Sequence, residues 1–234
     1  MSAIPSQHGR RPSSKLPPLE AGDRLTATEF LRYCDDETAP KRAELINGVV
    51  RIMSPINYAF HSNPHANLLG WLSFYTALTP GVAVGAPSSM RLDEDNVPEP
   101  DALLRIPESA GGQSRVTKAG YLEGPPEFVA EVANSTVSFD LHDKLDVYRR
   151  HGVREYLVWR VRDDAIDWFS LREGRYEKLP LSDDGFYKSE VFPGLWLDEA
   201  ALRRGDLPAV SQGVKRGTES TPEHAGFVHR LKSR

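Results

Sequence analysis

The chain has 234 residues, 39% of them hydrophobic and 26% charged, a composition that excludes a fibrous or wholly disordered protein. Its net charge of -4 is unevenly placed: residues 1–22 and 206–234 carry +2 each, so the stretch between them carries -8 and cannot hold nucleic acid on a broad basic face. No apolar run approaches the roughly 18 residues of a spanning helix, and the single cysteine, Cys34, excludes an internal disulfide or a cysteine-based zinc site.

Residues 1–22 hold Pro5, Pro12, Pro17 and Pro18 among serines and predict a disordered arm, because they bury too little apolar surface to offset ordering entropy. Order is expected from Thr26 to Glu29, a capping box in front of Phe30, Leu31 and Tyr33. The runs 42–46 and 49–53 flank Asn47-Gly48, which predicts a hairpin with a type I′ turn. Asn63-Pro64 then opens a helix carrying Leu68, Leu69, Leu72, Tyr75 and Leu78 at helical spacing, ending before Pro80-Gly81. Strands are expected over 82–84, 89–92 and 100–106, a loop over 107–120, and a strand over 127–133. A helix over 139–151, stopped by Gly152, leads to strands over 155–161 and 165–171. A strand, a helix and a further strand in this order predict a crossover unit in a mixed sheet, hence an α/β (mixed α+β) domain over 23–206. From Asp206 the pattern dissolves, and 207–234 is expected as a flexible tail.

Glu131 is the residue that stands out. It interrupts Phe-Val-Ala-Glu-Val-Ala, and a strand with one solvated face would also be polar at Val129 and Ala133, which are apolar. A carboxylate in such a strand must be paired or bound to a cation. Asp101 opens the preceding strand, and Lys144 lies on the following helix, four residues after Asp140; from spacing alone that pair reads as a surface ion pair. His61 and His65 have an HxxxH spacing, but no glutamate follows His61, and Pro64 implies that His61 precedes the helix. The pair is therefore expected to line a cleft rather than to bind zinc. No Gly-x-Ser-x-Gly elbow supports a serine hydrolase.

Taken together, Glu44-Leu-Ile-Asn-Gly, Ser54-Pro55 followed by His61, Glu99-Pro-Asp101, Gly120-Tyr-Leu-Glu-Gly124, Glu131-Val, Asp140-Leu-His-Asp-Lys144 with Tyr148, Gly152-Val-Arg-Glu-Tyr156 and Phe192-Pro-Gly-Leu195 resemble the Uma-two family of bacterial restriction endonucleases. That family is a branch of the PD-(D/E)XK nuclease superfamily, and the likeness runs from about Asp23 to Asp206. The resemblance implies a restriction-endonuclease-like central mixed β-sheet flanked by helices. It implies Mg2+ or Mn2+ held by Asp101, Glu131 and the backbone carbonyl of Val132, with Glu44 completing the shell. Lys144 is the implied catalytic lysine, in place of one two residues after the glutamate, where this chain has Ala133. Tyr148 is implied to contact substrate or to position Lys144, and His61 is the other implied substrate contact.

The function so implied is metal-dependent hydrolysis of DNA phosphodiester bonds. The alternatives are an inert nucleic-acid-binding or protein-interaction module on the same fold and, more remotely, a two-carboxylate glycosidase. DNA is the implied partner, a homodimer is open to it, and no membrane partner is expected. The lone cysteine, with no apolar run behind Arg10 and Arg11, leads to an expected cytoplasmic location.

Overall fold

The computed structural model describes residues 16–34 and 42–233; the expected arm lies mostly outside them, over residues 1–15. The described part of that arm is ordered. Leu19 is buried with Ala27, Phe30, Leu45, Val50 and Val97, and the N–H of Gly22 donates to the carbonyl of Val50. Order therefore reaches past the expected boundary at residue 23.

Helix α1 (Ala27–Cys34) begins on the capping box: Thr26 N–H donates to Glu29 Oε2 at 2.8 Å, and Glu29 N–H donates to Thr26 Oγ1 at 3.2 Å. Strands β1 (Ala43–Ile46) and β2 (Val49–Ile52) form the hairpin, with Asn47 and Gly48 at φ of 52° and 72°, as a type I′ turn requires. Helix α2 (Asn63–Leu78) is followed by β3 (Ala83–Gly85), β4 (Met90–Arg91), β5 (Ala102–Arg105), β6 (Arg115–Val116), β7 (Leu122–Glu123) and β8 (Phe128–Ala133). Next, α3 (Val137–Phe139), a π-turn over Asp140–Lys144 and α4 (Leu145–Arg150) run as one helical stretch. Strands β9 (Glu155–Arg160), β10 (Ala165–Arg172), β11 (Arg175–Lys178), β12 (Phe186–Lys188) and β13 (Trp196–Asp198) lead to α5 (Glu199–Arg204), α6 (Leu207–Ser220) and α7 (Pro222–Lys232).

The central sheet has six strands in the order β11-β10-β9-β8-β5-β3. It is mixed: β8 runs parallel to β9, with Phe128 beside Glu155, and the other pairs are antiparallel. The crossover helix joins β8 to β9, as the order of elements predicts. All six residues of β8 are buried because both faces of the sheet are covered. Ala102, Leu104, Phe128, Ala130, Val132 and Trp168 pack against Leu68, Trp71, Leu72 and Tyr75 of α2. Leu103, Val129, Ala133, Tyr156 and Val158 face the other way, toward Tyr148 of α4. Glu131 shares that second face, which puts its carboxylate among side chains rather than in water.

The expected flexible tail is instead part of the core. Helix α6 is capped by Asp206, whose carboxylate accepts from Ala209 N–H at 3.1 Å, and it buries Val210 and Val214. Helix α7 buries Phe227 and Leu231 in the same cluster as α2. The glycines that read as breakers are contact points: a Cβ on Gly217 would lie 2.4 Å from the carbonyl oxygen of Gly194, so only glycine lets α6 seat there. Deleting residues 207–234 is expected to abolish cooperative thermal unfolding followed by circular dichroism. A melt within about 2 °C of the parent would show that these helices carry no stability.

Candidate functional site

Two irregular turns and one strand pair assemble the site. Ala102 pairs with Ala130 across the antiparallel β5–β8 ladder, so Asp101, one residue before β5, comes beside Glu131. Asp101 is pinned there by its Oδ2, which accepts the Val132 N–H at 2.8 Å. From the other side, the π-turn over Asp140–Lys144 carries Lys144 over the sheet. Such turns widen a helix locally and are frequent at functional sites.

Lys144 is 1% exposed, and its Nζ lies 2.7 Å from both Glu131 Oε1 and Glu44 Oε1. It is thus not the surface partner of Asp140 that helical spacing predicts. Asp140 is itself buried, and its Oδ2 accepts from Thr136 Oγ1 at 2.6 Å. Glu44, from the hairpin, also accepts the Glu99 N–H on Oε1 at 2.7 Å. Tyr148 is fully buried one turn beyond Lys144, and its hydroxyl donates to Glu131 Oε1 at 2.9 Å. That hydroxyl is engaged in positioning Glu131.

His61 precedes α2, but the chain there is already helical. A π-turn over Tyr58–Ser62 runs directly into α2, capped by Asn57, whose side chain accepts from Phe60 N–H at 3.2 Å. The wider turn accommodates Pro64, which has no N–H to give to the preceding turn. Both histidines then reach Asp101: His61 Nε2 is 3.2 Å from Oδ1, and His65 Nε2 is 2.7 Å from the backbone carbonyl oxygen. Arg42 completes the surroundings, its guanidinium 3.9 Å from Asp101 Oδ1. Sequence reasoning put His65 with His61 in a cleft on their spacing, and passed over Arg42 and the buried state of Asp140, which carry no such signal.

These groups open onto a cavity of about 660 Å3 lined by Glu44, Asp101, Glu131, Val132 and Lys144, with His61, Arg42 and Arg51 at its walls. Burial would raise the pKa of Asp101, but the hydrogen bond and charge of His61, with the Val132 N–H, hold it below the usual carboxylate range. Burial pushes Glu131 well above that range; Lys144 draws it back, and the charges of Asp101 and Asp140 push it further. Asp140 is pushed up to about 6, mainly by burial. Burial favours the neutral form of Lys144, yet Glu131 and Glu44 outweigh it and hold the ammonium well above the ordinary lysine range.

One further atom bears on what the cavity can hold. Glu44 Oε2 is buried and has no hydrogen-bond partner. A buried carboxylate oxygen without a donor is costly unless a cation meets it. Oxygen donors from Glu44, Asp101 and Glu131 fit a divalent ion of the Mg2+ class.

None of the curated proteins compared with the chain is a match. Among solved structures, the chain is similar to one described as a "putative nuclease belonging to DUF820" from Anabaena variabilis, 15% identical, with 77% of this chain and 98% of that chain covered at a TM-score of 0.58. That likeness fixes the fold as a nuclease-type mixed α+β architecture. The family model described as "Uma2: Putative restriction endonuclease" matches residues 27–200, and the chain belongs to that family.

Proposed function

We infer that the protein is a divalent-metal-dependent endonuclease that hydrolyses DNA phosphodiester bonds, with Asp101, Glu131 and the Val132 carbonyl as metal ligands and Glu44 completing the shell. The observation that carries this is the placement of Asp101 beside Glu131 at one cavity, with a buried lysine on Glu131. When bound, a divalent ion polarises the scissile phosphate and makes the attacking water more acidic.

The chain's own groups do the rest. The Val132 N–H and the Tyr148 hydroxyl fix the two carboxylates, so their oxygens need no reorganisation during reaction. Lys144 has three N–H donors, two of them engaged by Glu44 and Glu131, which leaves one to orient water in the cavity. Arg42 and Arg51 on the cavity wall offer the positive charge that phosphate oxygens need, within a domain that is acidic overall. The test is a cleavage assay with purified protein on plasmid and single-stranded DNA, in Mg2+, Mn2+ or EDTA. Cleavage with either ion and none in EDTA is expected. DNA bound but uncut in both ions would instead establish the inert-module reading.

A further inference from the structure

We propose that His61 and His65 ligate the same ion as Asp101, and that this nitrogen-containing set makes the protein select Mn2+, Co2+, Ni2+ or Zn2+ over Mg2+. The proposal rests on the metal-dependent reading above and goes beyond it in naming the ion's chemistry.

The donor atoms already converge. Among the described residues, His61, His65 and Asp101 form the one group of three histidines, cysteines or acids whose ligand atoms all lie within 4.8 Å of one another. Ligands around an ion at bond lengths of about 2.1 Å stand roughly 3.0–3.4 Å apart. The 3.2 Å between His61 Nε2 and Asp101 Oδ1 is such a separation. The two rings meet edge to face, with centroids 5.9 Å apart.

The backbone makes this possible. Without the π-turn the chain before Pro64 would leave helical geometry, and His61 and His65 would not project from one helical stretch. His61 Nδ1 is buried without a partner, so the ring's polar contact is made wholly on the side of Asp101. Asp101 has its Oδ2 engaged by the Val132 N–H and therefore offers Oδ1 to the same point. The His65 Nε2 contact to the Asp101 carbonyl holds that ring in place, and coordination would exchange this hydrogen bond for the ion.

Donor chemistry then decides which ion. Mg2+ demands oxygen in near-ideal octahedral geometry and keeps its water, whereas imidazole nitrogen suits the later first-row ions, whose affinities at such sites rise from Mn2+ through Co2+ and Ni2+ to Cu2+ and fall again at Zn2+. Two imidazoles beside a carboxylate therefore disfavour Mg2+ by more than the carboxylates alone would.

The test is direct metal binding to the full chain stripped of metal, by isothermal titration calorimetry with Mn2+ and with Mg2+. Mn2+ is expected to bind at least about tenfold more tightly than Mg2+, and His61→Asn and His65→Asn should each weaken Mn2+ by about tenfold or more while leaving Mg2+ unchanged. Because either variant could lose its fold, the Mn2+-loaded parent is also examined by pulsed electron paramagnetic resonance, where imidazole nitrogen coupling is expected. Mn2+ bound without nitrogen coupling, at an affinity like that of Mg2+, overturns the proposal and leaves the metal-dependent nuclease standing. If neither ion binds at millimolar concentration, both fall together.

Discussion

Replacing Lys144 with methionine is expected to lower the melting temperature by about 10 °C at pH 8, because two carboxylates then remain buried without their shared cation, at a cost of roughly 3–5 kcal/mol. The loss should shrink on acidification. Burial already holds Glu131 above the usual carboxylate range, and without the ammonium its pKa rises further. A carboxyl with a raised folded-state pKa contributes stability below its unfolded value, near 4.5, and loses it as pH climbs through the folded value. The variant should therefore approach the parent near pH 5 and fall away from it toward pH 8. Single-turnover cleavage at pH 8, assayed well below the variant's melting temperature, should drop about a hundredfold. A variant that melts with the parent across this range would show that the ammonium does not neutralise Glu44 and Glu131.

The second large effect is a difference in sign between the two carboxylates proposed to hold the ion. Asp101→Asn and Glu131→Gln should each reduce divalent-dependent cleavage by about a thousandfold or more, the scale of several kcal/mol of lost charge stabilisation. Their melts in EDTA should diverge. Asp101 has a lowered pKa, so its charge is favourable in the ion-free fold, present above the unfolded pKa and lost on acidification. Asp101→Asn is accordingly expected to destabilise the ion-free fold and to lower its melting temperature. Glu131→Gln removes an unfavourable buried charge and leaves Lys144 paired with Glu44, so it should melt at or above the parent. Parallel shifts of the two variants would mean that both carboxylates feel one common field, and that His61 and the Val132 N–H do not set Asp101 apart.

That divergence was not legible in the sequence. A linear chain does not show that Lys144 reaches two of the three acids and His61 the third. The carboxylates themselves were legible. Glu131 broke an apolar strand without alternation, and the strand is buried throughout. The hairpin at Asn47-Gly48 and the crossover between β8 and β9 were also legible, since both rest on local turn chemistry and element order. The two π-turns were not, as neither composition nor helical periodicity marks an extra residue in a turn. Misplacing the first of them separated His61 from His65. Helices α6 and α7 escaped because Gly213 and Gly217 lower intrinsic propensity while serving as contacts with Phe186, Trp196 and Gly194, partners that only the folded chain supplies.

The cover that α6 lays over α2 also sets an order of events during synthesis. Trp71 Nε1–H donates to the carbonyl of Trp196, and Tyr75 hydroxyl to that of Pro193, and Leu207 packs on Gly70. A ribosome makes α2 early and must add residues 79–206 before any of α6 exists. Throughout that interval the apolar side of α2 has only part of its final partners, so the nascent chain presents a surface that chaperones or other nascent chains can capture. Pairings this distant along the chain also make closure slow, since loop entropy is lost before the contacts that reward it are formed. The helix that carries His65 thus becomes rigid only late in translation, and a cell making this protein holds the proposed metal ligands loosely until its last helices have emerged.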